Sequence, residues 1–281
     1  MLLTRIITAL VLLPLVLGAL FWFPDWGWGL FAVLLVGAAS REWARLSQLP
    51  SAASFAFMCL QLVGMLMLLG TSLHDDWRMA YKASIVPVAA YVALVFWAIV
   101  APLWLRAQYR ATATVNAAAG AAVLLPTFVA LLVLREASPW LLLSFAVLVW
   151  VADIAAYFAG RRFGRRKLAP AISPGKTLEG VAGGVVAVVL YYFLWRAAAA
   201  HWPMAWSTPW LAAGGMVLLL FVTLGLASVL GDLFESWIKR GAGMKDSGTL
   251  LPGHGGVLDR IDALTSALPL AMAYIVFAGA A

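Results

Sequence analysis

Polar residues along this chain fall in short clusters separated by long apolar runs, and the lengths of those runs predict the elements. Apolar stretches cover about 6–23, 27–39, 55–73, 85–105, 115–134, 140–159, 181–200, 211–230 and 263–280. Most meet the ~18 apolar residues that a bilayer-crossing helix needs. A membrane barrel is excluded, because its strands alternate in polarity and are only about 10 residues long. The pattern therefore predicts an all-α, polytopic integral membrane protein with about nine transmembrane helices, the second being the shortest. The first run follows Arg5 in the manner of a signal peptide. It continues to Phe23 without a clean small-x-small site, so it reads as a retained helix. No internal repeat is visible. The expectation is one membrane domain over 1–281, with N-terminal helices in 1–135, catalytic helices in 140–281, and cytoplasmic loops at 160–180 and 231–262.

Composition agrees: 64% of residues are hydrophobic and 11% charged, against about 25% charge in soluble domains. The net charge of +7 does not point to nucleic acid, because it follows the loops. Alternating the loops from one side to the other puts fifteen of the nineteen Lys and Arg on the N-terminal side, leaving Arg78, Lys82, Arg135 and Arg196 opposite. By the positive-inside rule the N-terminus and the polar stretches at 160–180 and 231–262 are expected in the cytoplasm. Cys59 stands alone, so no internal disulfide and no cysteine-based metal site is available.

Ser228 to Asp262 departs furthest from the apolar background. It reads SVLGDLFESWIKRGAGMKDSGTLLPGHGGVLDRID, with nine charged residues, His254, and six glycines from Gly241 to Gly256. Asp232, Glu235, Ser236 and Lys239 are spaced to share one helix face, and Asp259 and Asp262 lie three apart at the start of the last helix. Carboxylates at the mouth of a membrane helix are costly unless paired or metal-bound. Two such sets suit a hard cation such as Mg²⁺, and glycines let backbone N–H groups approach an anion. Together these are the ingredients of phosphoryl or nucleotidyl transfer. The blander readings are that Asp259 and Asp262 serve the last helix as cap and dipole partner, that Lys239 and Arg240 are inside-face charges, and that His254 is a turn residue.

A second polar stretch runs from Asp153 to Gly184, with six cations between Gly160 and Thr177. Those cations suit positive-inside topology, and equally anionic headgroups or phosphates. Gly175-Lys176-Thr177 has the ending of a Walker A loop, but Pro170 stands where the first glycine belongs, so it is not a P-loop. Ser173 to Thr177 still leads directly into a helix N-terminus, which favours anions. For Asp153 the bland reading is a buried pairing with Lys or Arg.

These residues carry a resemblance. Ser236-x-Ile238-Lys239-Arg240, then Lys245-Asp246-x-Gly248, then Leu251-Pro252-Gly253-His254-Gly255-Gly256-Val257-x-Asp259-Arg260-Ile261-Asp262 is similar, position by position over 27 residues, to the signature of phosphatidate cytidylyltransferases. The stretch around Asp153, Gly160-Arg161, Phe163-Gly164 and Ser173-Pro174-x-Lys176-Thr177-x-Glu179-Gly180 resembles that family's other recurring segment, and Arg41-Glu42 also fits. The resemblance implies an enzyme of a bacterial cytoplasmic (inner) membrane that joins CTP to phosphatidic acid, giving CDP-diacylglycerol and pyrophosphate. It also implies Mg²⁺ with an assisting monovalent cation such as K⁺, and metal ligation by Asp232 and Asp259. On this reading Asp246 and Asp262 complete the metal site, and Lys239, Arg240, Lys245 and Arg260 neutralise phosphates. Ser173, Lys176, Thr177, Ser236, Gly255, Gly256 and His254 bind substrate. The lipid bilayer is the obligatory surrounding and a homodimer is compatible. A sister CTP-dependent enzyme acting on another lipid, a transporter using Asp153, and an inactive lipid-binding scaffold are the competing readings.

Overall fold

The computed structural model describes residues 2–201 and 214–278, with side chains for 7–200 and 214–278. The Arg5 side chain, the start of the run predicted at 211 and the end predicted at 280 lie outside these limits. Among the described residues there are nine helices: α1 Leu2–Trp22, α2 Asp25–Leu46, α3 Ser51–Leu73, α4 Asp75–Arg106, α5 Ala113–Ala137, α6 Pro139–Phe163, α7 Leu178–His201, α8 Gly214–Gly241 and α9 Leu258–Ala278. Seven of them, α3 to α9, are long and apolar enough to cross a membrane, which makes this an integral membrane protein. Helix α1 offers a shorter apolar stretch, Ile7–Trp22.

Several boundaries differ from expectation. Helix α2 runs on through Arg41, Glu42 and Arg45, and α8 runs to Gly241, which shortens the expected 231–262 loop to 242–257. Within the basic loop, α6 continues to Phe163, and an antiparallel hairpin follows, β1 Lys167–Ala169 and β2 Ser173–Thr177, with Lys167 opposite Thr177. The fold is thus all-α but for this ribbon.

Because hydrocarbon offers no hydrogen bonds, every interruption of a membrane helix has to be made good inside the protein. Pro269 in α9 has no N–H for the carbonyl of Thr265, one turn back, and the Thr127 hydroxyl of α5 donates to that carbonyl at 3.3 Å. In α4, two π turns, Tyr81–Ile85 and Phe96–Val100, come directly ahead of Pro87 and Pro102 and widen the helix where a proline would otherwise break its ladder.

Helix α9 lies inside the bundle, touching α8, α5, α4, α6 and α2. Helix α8 is fixed by Phe234, whose ring meets Trp43 of α2 and Phe96, Trp97 and Trp104 of α4 at centroid distances of 6.3, 5.2, 5.9 and 5.5 Å. This aromatic box sits two residues from Asp232 and sets the rotation of its helix. The α8–α9 contact is tightest at Gly231, where an added Cβ would meet Ser266 Oγ at 2.6 Å and the Asp262 carbonyl at 2.7 Å.

Contacts sort the loops onto two faces. On one, Thr8 of α1 donates to Pro252 O (3.0 Å), Arg45 of α2 donates to Ser247 O (2.8 Å), and Trp237 of α8 donates to Tyr109 O (3.0 Å) after α4. On the other, Arg135 pairs with Asp25 and donates to Phe23 O, while Glu136 pairs with Arg78 and with Lys82. Among the described residues these contacts group successive turns on alternate ends of the bundle, as the order of the apolar runs leads one to expect.

Replacing Gly231 by valine pushes a branched side chain against a backbone carbonyl. It is expected to lower the thermal unfolding midpoint of the detergent-solubilised protein, with an overpacking cost of about 1–3 kcal/mol. An unshifted midpoint would show that the two helices part without penalty.

Candidate active site

The end of α8 presents the expected face. Ser236 Oγ donates to Asp232 Oδ1 (3.2 Å), and Lys239 Nζ lies 2.5 Å from Glu235 Oε2, each pair one turn apart. Lys239 also reaches across to α9, 2.7 Å from Asp259 Oδ1. One buried ammonium therefore ties two carboxylates on two helices, and this pairing is what makes them tolerable away from water.

The strap 242–257 turns back through Gly243, Gly253 and Gly255, all at positive φ, where a side chain would be strained. It closes by satisfying the amides that a helix N-terminus leaves without partners. Gly256 N donates to Asp259 Oδ2 (2.8 Å), Val257 N to Glu42 Oε1 (3.0 Å), Leu258 N to Glu42 Oε2 (2.8 Å), and Asp259 N to Ser247 Oγ (3.3 Å). Ser247 N donates to both Asp259 oxygens, and Ser247 Oγ donates to Glu42 Oε2 (2.9 Å). Asp259 therefore has both oxygens engaged and serves as cap and strap anchor, the blander of its two sequence readings. Gly256, expected at the substrate, is buried with its N–H committed to Asp259, and a Cβ there would strike Ser247 and Glu42. Close packing accounts for that glycine.

From the other polar stretch, the hairpin brings Lys176 Nζ to 2.6 Å from Asp232 Oδ2, both side chains being partly exposed. Two polar stretches 56 residues apart by number thus meet at one ion pair. Ser173 opens β2 opposite Ala169. Thr177 is buried, and its Oγ1 accepts from Gly180 N (3.1 Å), so it caps α7 and does not stand free to grip a phosphate. Asp153, inside α6, and Asp262, in α9, are within electrostatic reach of Asp232 and Lys176.

Other expected residues lie around the rim. Arg240, Lys245, Asp246 and Arg260 are exposed, and Arg240 donates to Met244 O (3.2 Å). Asp246 stands beside Gly255, 3.6 Å from the position a Cβ would take there. His254 is half-buried, its backbone N–H donating to Leu251 O (2.9 Å). Sequence reasoning put Glu42 and Arg45 among topology charges or motif companions and assigned them no role, although both hold the strap. The available signal was a single carboxylate set between Arg41 and Arg45 at the end of α2.

The donor chemistry fits Mg²⁺. Asp232 is a partly exposed hard-oxygen carboxylate that already holds a cation, the Lys176 ammonium, at Oδ2. No three His, Cys, Asp or Glu side chains converge as a metal cage among the described residues. Magnesium does not require one, since it takes one or two carboxylates and completes its octahedron with substrate phosphates and water.

Comparison with known proteins now decides the relationship. Residues 3–278 match the cytidylyltransferase family. The chain belongs to that family. It is 39% identical over 292 residues to the phosphatidate cytidylyltransferase of Pseudomonas aeruginosa, covering 99% of this chain and 98% of that protein. It is 37% identical over 274 residues to the phosphatidate cytidylyltransferase of Brucella suis, covering 95% and 90%. The phosphatidate cytidylyltransferase of Haemophilus influenzae is 49% identical over 130 residues, 46% of this chain and 43% of that protein. As a cytidylyltransferase the chain is a nucleotidyl-transferring enzyme.

For this cytidylyltransferase, Glu42→Gln replaces one acceptor oxygen by a donor that faces main-chain N–H groups. The loss is expected to be about 1–3 kcal/mol, seen as a lower unfolding midpoint and as new protease cleavage within 242–257. The neighbouring exposed Arg41→Gln serves as the control and is expected to behave as wild type. A strap equally resistant in Glu42→Gln would remove the tether from this account.

Proposed function

We propose that this chain joins CTP to phosphatidic acid, releasing pyrophosphate and leaving CDP-diacylglycerol in the membrane. The observation that carries the reading is the Lys176–Asp232 pair, which joins the two polar stretches at one end of a membrane bundle matched to the family over residues 3–278. A phosphate oxygen of phosphatidic acid attacks the α-phosphorus of CTP. The bond from that phosphorus to the α–β bridging oxygen breaks, and the pyrophosphate leaves with that oxygen. No protein nucleophile and no covalent intermediate are needed, so the protein's task is positioning and charge neutralisation.

Asp232 would hold Mg²⁺, with Asp262 behind it and Asp246 at the lip. Mg²⁺ bound there supplies neutralisation of the charge that develops on the phosphate oxygens. Asp259, held by Lys239 and by the strap amides, stands second to Asp232 as a ligand. Lys176, released from Asp232, has the reach to accept a phosphate, and Arg240, Lys245 and Arg260 offer further cations on the rim. Ser236 steadies Asp232, Ser173 flanks Lys176 on the hairpin, and Gly255 and His254 shape the wall. An assisting K⁺ rests on the resemblance and has no residue assigned. Lipid reaches the cleft sideways from the bilayer and CTP comes from water, which supports placing this end at the cytoplasmic face of a bacterial inner membrane, the N-terminus on the same side. The relatives named above are bacterial, and the fifteen-to-four division of Lys and Arg favours that orientation. Whether two copies associate is read directly from the mass of the solubilised particle.

The test is purified protein with labelled CTP, phosphatidic acid and Mg²⁺, scored by label extracted into lipid. Asp232→Asn is expected to cut that signal about 100-fold or more with an unchanged unfolding midpoint. Asp259→Asn is expected to lose product and also to loosen the strap. Near-wild-type turnover in Asp232→Asn would sink its role, and no lipid-soluble label with the wild type would overturn the reaction.

A further inference from the structure

Arg161 and Arg162 end α6, and Arg165, Arg166 and Lys167 lead into β1; all five side chains are exposed. Among the described residues none of the five makes an ion pair. The one carboxylate beside them is Glu179, whose charge Arg166 feels but whose oxygens are taken by main-chain N–H groups and not by a cationic side chain. Its oxygens accept the N–H of Arg165 at 3.0 Å and that of Arg166 at 3.1 and 3.2 Å. Arg161 Nη1 reaches the Tyr157 hydroxyl at 3.4 Å, and the Arg162 guanidinium lies 5.4 Å from the Phe163 ring. The fold thus sets five cations around a single carboxylate, with no side-chain ion pair among the described residues, while supporting their backbone firmly.

Their position says what they face. Ile154, Tyr157, Phe158 and Phe163 on the preceding turns of α6 are 58, 59, 63 and 63% exposed. On a membrane-crossing helix such side chains meet lipid, and aromatic rings at its end mark the headgroup level. The cations follow directly, at the depth of the lipid phosphates. The hairpin is anchored from its other side, with Ile172 buried and Leu168 and Ala169 packed on the core, so the charges sit on a fixed ledge.

We propose that this ledge binds the headgroups of anionic phospholipids other than the one being turned over, so that the protein gathers acidic lipid around the mouth of its cleft. Guanidinium forks suit phosphate oxygens, and a cluster of cations just outside a membrane helix attracts acidic headgroups. Free phosphate chains carry the same chemistry. The lipid is favoured because the cations border the lipid-facing aromatics, whereas Lys176 is the cation that turns into the cleft. The inference needs the bilayer and does not depend on the reaction.

The full chain is reconstituted in phosphatidylcholine nanodiscs carrying a trace of dansyl-labelled phosphatidylglycerol or, in parallel, dansyl-labelled phosphatidylcholine. Energy transfer from tryptophan then reports which headgroup is enriched at the protein. Phosphatidylglycerol is expected to give the stronger transfer, declining with salt. Arg165→Gln/Arg166→Gln/Lys167→Gln is expected to reduce the preference roughly tenfold, while Arg165→Lys/Arg166→Lys retains it. Removing three of fifteen same-side cations leaves the topology bias in place, and protease accessibility of the loops verifies it. An undiminished preference in the triple Gln variant would assign these cations to orientation alone and overturn the proposal. So would displacement of the labelled lipid by CTP or inorganic triphosphate at constant ionic strength, which would make the ledge a nucleotide site. Turnover is not the readout, so an inactive wild type would defeat the proposed reaction and leave this result standing.

Discussion

Glu42 is the constraint on which the active end depends. A helix that begins inside a membrane protein leaves four N–H groups without partners, and no water is at hand to take them. Here Glu42 receives two of them, from Val257 and Leu258, and a hydroxyl from Ser247. Asp259 and Ser247 take the adjacent pair. The start of α9, the return of the strap and the end of α2 are one hydrogen-bonded unit, and a buried carboxylate is acceptable only because all of its neighbours donate. The same unit fixes where Asp259 and Asp262 stand relative to α8.

Two lysines then divide the carboxylates by task. Lys239 is buried between Glu235 and Asp259 and is held by both. Moving it would strand charges in a medium that penalises them heavily. Lys176 is borne by a two-stranded ribbon and meets Asp232 where both are partly exposed, so separating this pair costs less than moving Lys239, because water reaches the ions. The exchangeable contact and the permanent one are thus set by burial. This is the physical reason for assigning metal to Asp232 ahead of Asp259, although the two aspartates look equivalent in the motif.

Much of this was legible in the residues. Apolar run lengths predicted the helices, and the spacing of Asp232, Glu235, Ser236 and Lys239 placed them on the face they occupy, because both are local properties of a helix. Residues 167–177 show no alternation, and their ribbon is held by Glu179 and by packing of Ile172, neither of which a window of sequence reports. The tie from Glu42 to Ser247 spans 205 positions and exists only once α2 lies beside the strap. Gly256 and Thr177 read as phosphate cradle residues because glycine and threonine serve both purposes. The bundle uses them for close packing and for capping.

The two faces of the bundle complete the argument. On one, Asp25 with Arg135, and Glu136 with Arg78 and Lys82, draw three turns into a closed set of opposite charges. On the other, the exposed Arg240, Lys245, Arg260 and the five cations around the hairpin make no ion pairs among the described residues. An excess of charge held apart by rigid backbone is a standing cost to stability through self-repulsion. It is relieved when anions arrive, whether as lipid headgroups at the rim or as phosphates in the cleft. The ion pairs of the first face tie turn to turn, whereas on the second Lys176 and Lys239 hold the carboxylates and leave the surrounding cations in excess.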